Sequence, residues 1–361
     1  MNNNSYVLIM AGGVGSRFWP KSRNSFPKQF IDILGTGKSL LQYTFDRFLN
    51  LVPSENIYVL TNADYKDLVI KQLPILPSEN ILLEPSRNNT APCLAYASYK
   101  ILKKNTEATI VVAPSDHLIL KEEQFLENVR NALNFASKND SILTLGISPT
   151  RPDTGYGYIN YNKVEVLSDG AYPVKAFLEK PPLEKAKEYI DSGDYLWNAG
   201  IFIWSAQSIK RAFINFAPEI HSIFEMGIEF YNTNEEQGFI NKFYPQSPNI
   251  SIDYAILEKA DNVYTIPSEI GWSDLGTWAS LHEVLSKDEN ENSINSPHAM
   301  LENTYNSLIS VQLKKAVVIK GLQDYIVVDD ENVLLIYPKS EEQSIKKVAA
   351  DMVSAYGSDY E

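Results

Sequence analysis

Residues 5–30 read SYVLIMAGGVGSRFWPKSRNSFPKQF. From Tyr6 to Ala11 the side chains are apolar without a break, and Gly12 and Gly13 follow. That pattern describes a buried strand running into a loop. Gly12, Gly13 and Gly15 let backbone approach a ligand closely and turn N–H groups towards phosphate oxygens. Arg17, Arg23 and Lys28 bring positive charge into the same loop. The bland alternative is a glycine-rich turn carrying solvated cations, and the clustering argues against it. A dinucleotide fingerprint fails here, because Phe18 stands where its third Gly belongs and Pro20 and Pro27 delay any helix. Gly37-Lys38-Ser39 imitates the end of a Walker A loop, but Asp32 occupies the place of its first Gly.

Working outward, strands are expected at 57–61, 81–83, 109–113 and 142–147, with helices at 64–73, 91–104 and 121–138 between them. Another helix should start at Ser39, capped with Gln42, its apolar face made of Leu41, Phe45, Phe48 and Leu49. Alternation of this kind implies an α/β fold, a Rossmann-like, mostly parallel sheet with helices on both faces. Ligands then sit beyond the strands' carboxyl ends, just after Ala11, Thr61, Leu83 and Ala113. Residues 151–280 read as a less regular insertion, with aromatic-rich strands and a helical stretch at 206–230. The polar run DENENSINSP after residue 285 reads as a linker. Short strands at roughly ten-residue spacing follow, then a helix whose Ile345, Val348, Ala349, Met352 and Val353 share one face. Two domains are expected: 1–285, and a small β-rich domain with a terminal helix at 286–361.

The 361 residues are 44% hydrophobic and 21% charged, which excludes disordered and fibrous classes. With 32 Lys and Arg against 45 Asp and Glu, the formal charge is −13. Such a surface repels nucleic acid and anionic lipid, so neither is an expected partner. No apolar run reaches membrane-spanning length and no signal peptide is expected. The single cysteine, Cys93, suits a reducing cytoplasm.

Asp116 follows the strand at 109–113, and Asp274 lies in a turn flanked by Gly and Trp. Two such carboxylates can converge on one Mg²⁺, the hard cation suited to oxygen ligands and phosphates; equally, each can simply cap a turn. His117 adjoins Asp116 as a candidate hydrogen-bond donor to it. Four histidines and no His-x-His pair speak against a transition-metal site.

The block AGG-x-G-x-R-x-W-P-x-S-R-x-x-x-P-K-Q-F resembles the signature of the mannose-1-phosphate guanylyltransferases, or GDP-mannose pyrophosphorylases, within the sugar nucleotidyltransferase superfamily. Seven further blocks extend the resemblance in family order: EPSRNNTAP (84–92), APSDH (113–117), TGYGYI (154–159), FLEKP (177–181), WNAGIF (197–202), SIDYAILEK (251–259) and GWSDLGTW (271–278). Lys21 departs from the usual Leu, and Asn88 from the usual Arg or Lys, with Arg87 displaced by one.

The resemblance implies transfer of GMP from GTP to mannose 1-phosphate, with Mg²⁺ and without a covalent intermediate. It assigns the metal to Asp116 and Asp274, and catalysis to Arg17, Lys28 and Asp116. Ala11, Gly12, Gly13, Gly15, Asn89 and Thr90 would join them around the nucleotide. Lys180 would bind the sugar phosphate, and Glu179 and Asn198 the sugar hydroxyls. Gly155, Tyr156 and Gly157 would close that pocket, with Asp253 and Lys259 as weaker candidates beside it, for which a helix salt bridge is the alternative. A short left-handed β-helix-like C-terminal domain is implied, and a homodimer is compatible with it. The isomerase domain fused to some relatives needs clustered histidines; with only His298 after residue 282, none is expected here. Two rivals remain open: another sugar-1-phosphate and nucleotide pair, or a catalytically silent GDP-mannose-sensing subunit. Mg²⁺-dependent pyrophosphate release separates the enzyme from the sensor.

Overall fold

The computed structural model describes residues 4–312 and 314–361. In chain order its elements begin β1 (Ser5–Met10), α1 (Leu40–Leu49), β2 (Ile57–Asn62), α2 (Lys66–Gln72), β3 (Ile81–Glu84), α3 (Thr90–Lys104), β4 (Thr109–Pro114), β5 (Leu118–Ile119), α4 (Glu122–Lys138) and β6 (Ile142–Ile147). They continue β7 (Tyr158–Tyr161), β8 (Tyr172–Leu178), α5 (Leu183–Ser192), β9 (Tyr195–Ser205), α6 (Ala206–Phe216), α7 (Pro218–Glu225), α8 (Glu236–Phe243), β10 (Val263–Pro267), β11 (Trp272–Ser273) and α9 (Trp278–Val284). The chain divides into two compact units.

The first unit comprises the chain up to Gly12, Thr44–Ser115 and Ile119–Trp272. It holds a nine-stranded sheet in the order β3-β2-β1-β4-β9-β6-β10-β8-β7. β1 pairs in parallel with β2 (Val7 opposite Ile57) and with β4 (Leu8 opposite Val112). Val7, Leu8 and Ile9 are fully buried, as a strand covered on both faces requires. The sheet is mixed. β9 runs antiparallel to both β4 and β6, and β8 antiparallel to β7 and β10. Thus AGIFIWS, read above as part of an insertion, is a central strand of the main sheet; Ala199 and Ile201–Trp204 are all buried. In α4 the stripe Phe125, Val129, Leu133 and Ala136 faces the core as expected, each large apolar side chain contributing about 1.5–3 kcal/mol. The helical stretch expected at 206–230 is broken: α6 ends at Phe216 and Pro218 starts α7. Proline has no N–H to continue a helix and suits only its first turn.

The second unit comprises Gly13–Tyr43, Asp116–Leu118 and Ser273–Glu361. After α9 it contains β12 (Ser293–Ile294), β13 (Ala299–Glu302), β14 (Leu308–Ser310), β15 (Val317–Lys320), β16 (Tyr325–Asp330), β17 (Val333–Pro338) and α10 (Ile345–Tyr356). β12, β14 and β16 form one parallel ladder and β13 and β15 another, so the chain coils alternately between two ladders. Asn303, Asn306, Gly321 and Asp324 turn the corners at positive φ. Leu308, Ile326, Val328, Trp278 and Ile345 share a core with Phe18, Trp19, Ile31 and Ile33 of the segment after the glycines. Val348, Ala349 and Met352 of α10 pack against that core, matching the expected helix face.

The run expected to be a linker is built into this unit. Asp288 Oδ1 accepts the backbone N–H groups of Asn290 and Asn292 at 2.9 and 2.8 Å. Asn292, only 1% exposed, donates to the Thr304 carbonyl and accepts from the Ser307 N–H. Its polar side chains satisfy turn backbone inside the coil, where composition alone suggests solvation. Among the described residues no helix is long and apolar enough to cross a membrane.

Candidate active site

In the second unit the glycine-rich segment converges on Lys28, a lysine only 3% exposed. Its Nζ donates to Asp116 Oδ2 at 2.9 Å and to the Asp274 carbonyl oxygen at 2.8 Å, and lies 5.4 Å from the centre of the Phe18 ring. Gly15, at φ 73°, passes so close that a Cβ there would stand 2.5 Å from the Lys28 Cβ. The Lys28 N–H donates to the Val14 carbonyl, and Gln29 Nε2 to the Gly13 carbonyl at 2.9 Å, which ties both ends of the loop together. Burial pushes the Asp116 carboxyl up, but the Lys28 ammonium and His117 outweigh it and hold it below the ordinary range.

Asp274 Oδ1 accepts the Gly276 N–H at 3.0 Å, so this side chain also closes its own turn. Asp116 by its carboxylate and Asp274 by its backbone carbonyl thus meet at one ammonium, and both residues carry the hard oxygen donors that Mg²⁺ prefers. Among the described residues no third His, Cys, Asp or Glu joins them in a metal-sized cluster. Arg17 is exposed. Arg23, expected to add charge to the loop, is instead buried: it donates to the Pro20 and Asp359 carbonyls and to Asn332 Oδ1. The bond to Asp359 ties it to the C-terminal residues.

In the first unit Ala11 closes β1, donating to the Leu60 carbonyl at 2.7 Å while its own carbonyl accepts from Thr61 Oγ1 at 2.9 Å. A Cβ on Gly12 would lie 3.4 Å from Glu84 Oε2. Glu84 is buried beneath it, takes a short hydrogen bond from the Tyr244 hydroxyl, and is pushed up in pKa by that burial. The sequence reading missed Glu84, although it opens the EPSRNNTAP block. Asn88 Nδ2 donates to the Ser247 carbonyl at 2.8 Å, so the departing residue clamps the loop. Asn89 caps α3 at φ 67°, its Oδ1 accepting the Thr90 N–H; Thr90 Oγ1 accepts the Ile252 N–H at 2.8 Å.

That last bond leads to a second cluster. Asn198 Nδ2 donates to Asp253 Oδ1 at 3.2 Å, while Asn198 Oδ1 accepts from Thr144 Oγ1 at 2.8 Å and from the Gly200 N–H at 3.0 Å. Asp253 opens a single turn of π-helix (Asp253–Leu257), a form that recurs at functional positions. Burial, with the charge of Glu179 added, raises its carboxyl to about 6. Lys180, at φ 48°, pairs with the adjacent Glu179 carboxylate. Burial lowers the Lys180 ammonium, but Glu179, Asp253 and Tyr254 reverse that and leave it raised.

Gly157 fits because a Cβ there would meet Glu179 Oε2 at 2.5 Å. The Asn198 N–H donates to the Gly157 carbonyl at 2.8 Å, and the Lys180 N–H to that of Tyr156 at 3.2 Å. Gly155 donates its N–H to Asp153 Oδ1. Lys259 lies apart, its Nζ directed at the Phe216 carbonyl. Sequence reading also missed Thr144, and Glu258, whose Oε1 accepts the Glu179 N–H at 3.2 Å. Glu258 stood inside a quoted block; Thr144 carried no signal.

A family described as Nucleotidyl transferase matches residues 6–291. The mannose-1-phosphate guanylyltransferase of Salmonella montevideo is 36% identical over 348 residues, covering 94% of this chain and 72% of that protein. The alginate biosynthesis protein AlgA of Pseudomonas aeruginosa is 32% identical, covering 96% of this chain and 71% of that one. Among solved structures, one described as mannose-1-phosphate geranyltransferase from Thermus thermophilus superposes with a TM-score of 0.86 at 30% identity, over 97% of this chain and 99% of that one.

Proposed function

This chain belongs to the nucleotidyl transferase family, and from that premise we propose that it transfers GMP from GTP to mannose 1-phosphate, yielding GDP-mannose and pyrophosphate. The observation that carries the reading is the buried Lys28 ammonium, held by Asp116 and the Asp274 carbonyl inside a glycine-rich loop. Both reactants are anions, so the protein's task is positioning and charge neutralisation. A phosphate oxygen of the sugar 1-phosphate attacks the α-phosphorus of GTP as the bond to the pyrophosphate oxygen breaks. No side chain needs to form a covalent intermediate.

Arg17 and Lys28 take the triphosphate, with the backbone N–H groups of Gly12, Gly13 and Gly15, while Ala11, its N–H held by the Leu60 carbonyl, only fixes where the loop leaves β1. Asn89 and Thr90, at the start of α3, stand at the base. Glu179 and Asn198 hydrogen-bond sugar hydroxyls, Asp253 orients Asn198, Lys180 takes the sugar phosphate, and Gly155, Tyr156 and Gly157 close over it. A divalent metal is common chemistry in this family. Asp116 and Asp274 fit Mg²⁺, which uses one or two carboxylates and completes its shell with phosphate oxygens and water. When bound, it would neutralise charge on those oxygens.

The buried free thiol Cys93 and the substrates suit the cytoplasm. A homodimer would use the coil of the second unit, where the cross-strand partners Met300 and Val318 are 72% and 76% exposed. The test is turnover: pyrophosphate release from GTP should need mannose 1-phosphate, stop with a chelator and return with Mg²⁺. Release without the sugar phosphate, or none in the complete mixture, overturns the reading.

A further inference from the structure

We propose that Arg151, given no role above, is a positioning residue that sets the affinity of the sugar-phosphate pocket; the inference rests on the function just proposed. Arg151 Nε and Nη2 both reach Asp153 Oδ2, at 3.1 and 3.0 Å. The other oxygen, Asp153 Oδ1, accepts the Gly155 N–H at 2.8 Å, and the Asp153 carbonyl accepts from the Tyr158 hydroxyl at 2.9 Å. The same guanidinium donates to the Tyr156 hydroxyl at 3.3 Å and lies 5.4 Å from the centre of the Trp197 ring. Tyr156 packs edge-on against Trp197 at 5.0 Å and Trp272 at 5.3 Å.

One planar cation thus fixes the backbone of 153–157 from one side and an aromatic box from the other. That backbone carries the pocket. The Tyr156 carbonyl holds the Lys180 N–H and the Gly157 carbonyl holds the Asn198 N–H. Trp197, against which Arg151 lies, is the neighbour of Asn198. Lysine cannot replace this arrangement, because only a guanidinium forks onto one carboxylate while stacking on rings. The Arg151 side chain is 40% exposed, and ion pairs in such settings add little to global stability. Its effect should therefore appear in substrate affinity and not in melting.

The experiment uses the full chain with Arg151→Ala, Arg151→Lys and Asp153→Asn, titrating each substrate at saturation of the other. Arg151→Ala should raise KM for the sugar 1-phosphate about tenfold, with kcat within about threefold and KM for GTP within about twofold. Arg151→Lys should resemble Arg151→Ala, Asp153→Asn should reproduce most of the shift, and melting temperatures should stay close to wild type. An unchanged KM in Arg151→Ala, recovery by Arg151→Lys, or a silent Asp153→Asn beside a strong Arg151→Ala would overturn the inference, the last two indicating direct charge contact with phosphate. The ratios are read with whichever sugar 1-phosphate the wild type turns over fastest. A wrong sugar assignment would then show in the wild type and leave the ratios valid. Calorimetric dissociation constants for that sugar 1-phosphate should shift by the same factor, independent of turnover.

Discussion

Gly15 makes the room that Lys28 occupies: at φ 73° its missing side chain leaves backbone where a Cβ would stand 2.5 Å from the Lys28 Cβ. The relation joins loop conformation to chemistry, since Lys28 carries the charge on which Asp116 and the Asp274 carbonyl converge. Gly15→Ala should cost about 1–3 kcal/mol in stability from left-handed strain and overlap. It should lower kcat more than Gly13→Ala, whose Cβ meets nothing within 4 Å. Thermal melts and steady-state rates of the two variants check this; equal effects would contradict it.

Lys28→Met removes the buried ammonium and leaves the Asp116 carboxylate without its partner. The expected cost is about 1–3 kcal/mol of stability, because a part-buried charged acceptor loses its donor. Turnover should fall by about a hundredfold or more, as it does when one preorganised charge-stabilising group is removed. Melting curves beside initial rates at saturating substrate measure both.

Asp253 gives a pH dependence with a definite sign. Burial, then Glu179, raises its carboxyl from 3.8 to about 6, with Lys180 opposing. A native pKa above the unfolded one means that the folded state keeps a proton the unfolded state has released. Stability from this group is therefore highest below about pH 4 and is lost as pH rises through about 6. Asp253→Asn stays neutral and should melt higher than wild type at pH 7.5, the gap closing towards pH 4. A gap independent of pH would contradict this.

Much of the fold was legible in sequence because buried parallel strands write themselves as unbroken apolar runs; Tyr6–Ala11, 57–61 and 109–113 became β1, β2 and β4. The Ser39–Gln42 capping box was equally readable, with reciprocal bonds at 2.9 and 3.2 Å. β9 carried the same apolar signal, but its long-range antiparallel partners β4 and β6 are invisible to local pattern. Arg23 misled because charge says nothing of burial; two of its guanidinium bonds go to Asn332 and Asp359, more than 300 residues away in sequence. Of the candidate site, motif blocks gave the glycines, Lys28 and the cluster around Asn198. Thr144 and Arg151 gained their places only through tertiary contact.

The exposed pair Met300 and Val318 makes the dimer testable. Replacing both by Glu should convert a homodimer to monomer by light scattering while leaving the melt within a few degrees, since neither side chain belongs to a core. A mass unaffected by the substitutions would remove this surface from the interface.

The most direct measurement is pyrophosphate release by the purified chain with Mg²⁺, crossing four nucleoside triphosphates with mannose, glucose and N-acetylglucosamine 1-phosphates. The account predicts turnover concentrated on GTP with mannose 1-phosphate and a product of the mass of GDP-mannose. Faster turnover of another pair would contradict the substrate assignment. A folded protein that binds GDP-mannose yet stays silent in every combination would contradict catalysis itself.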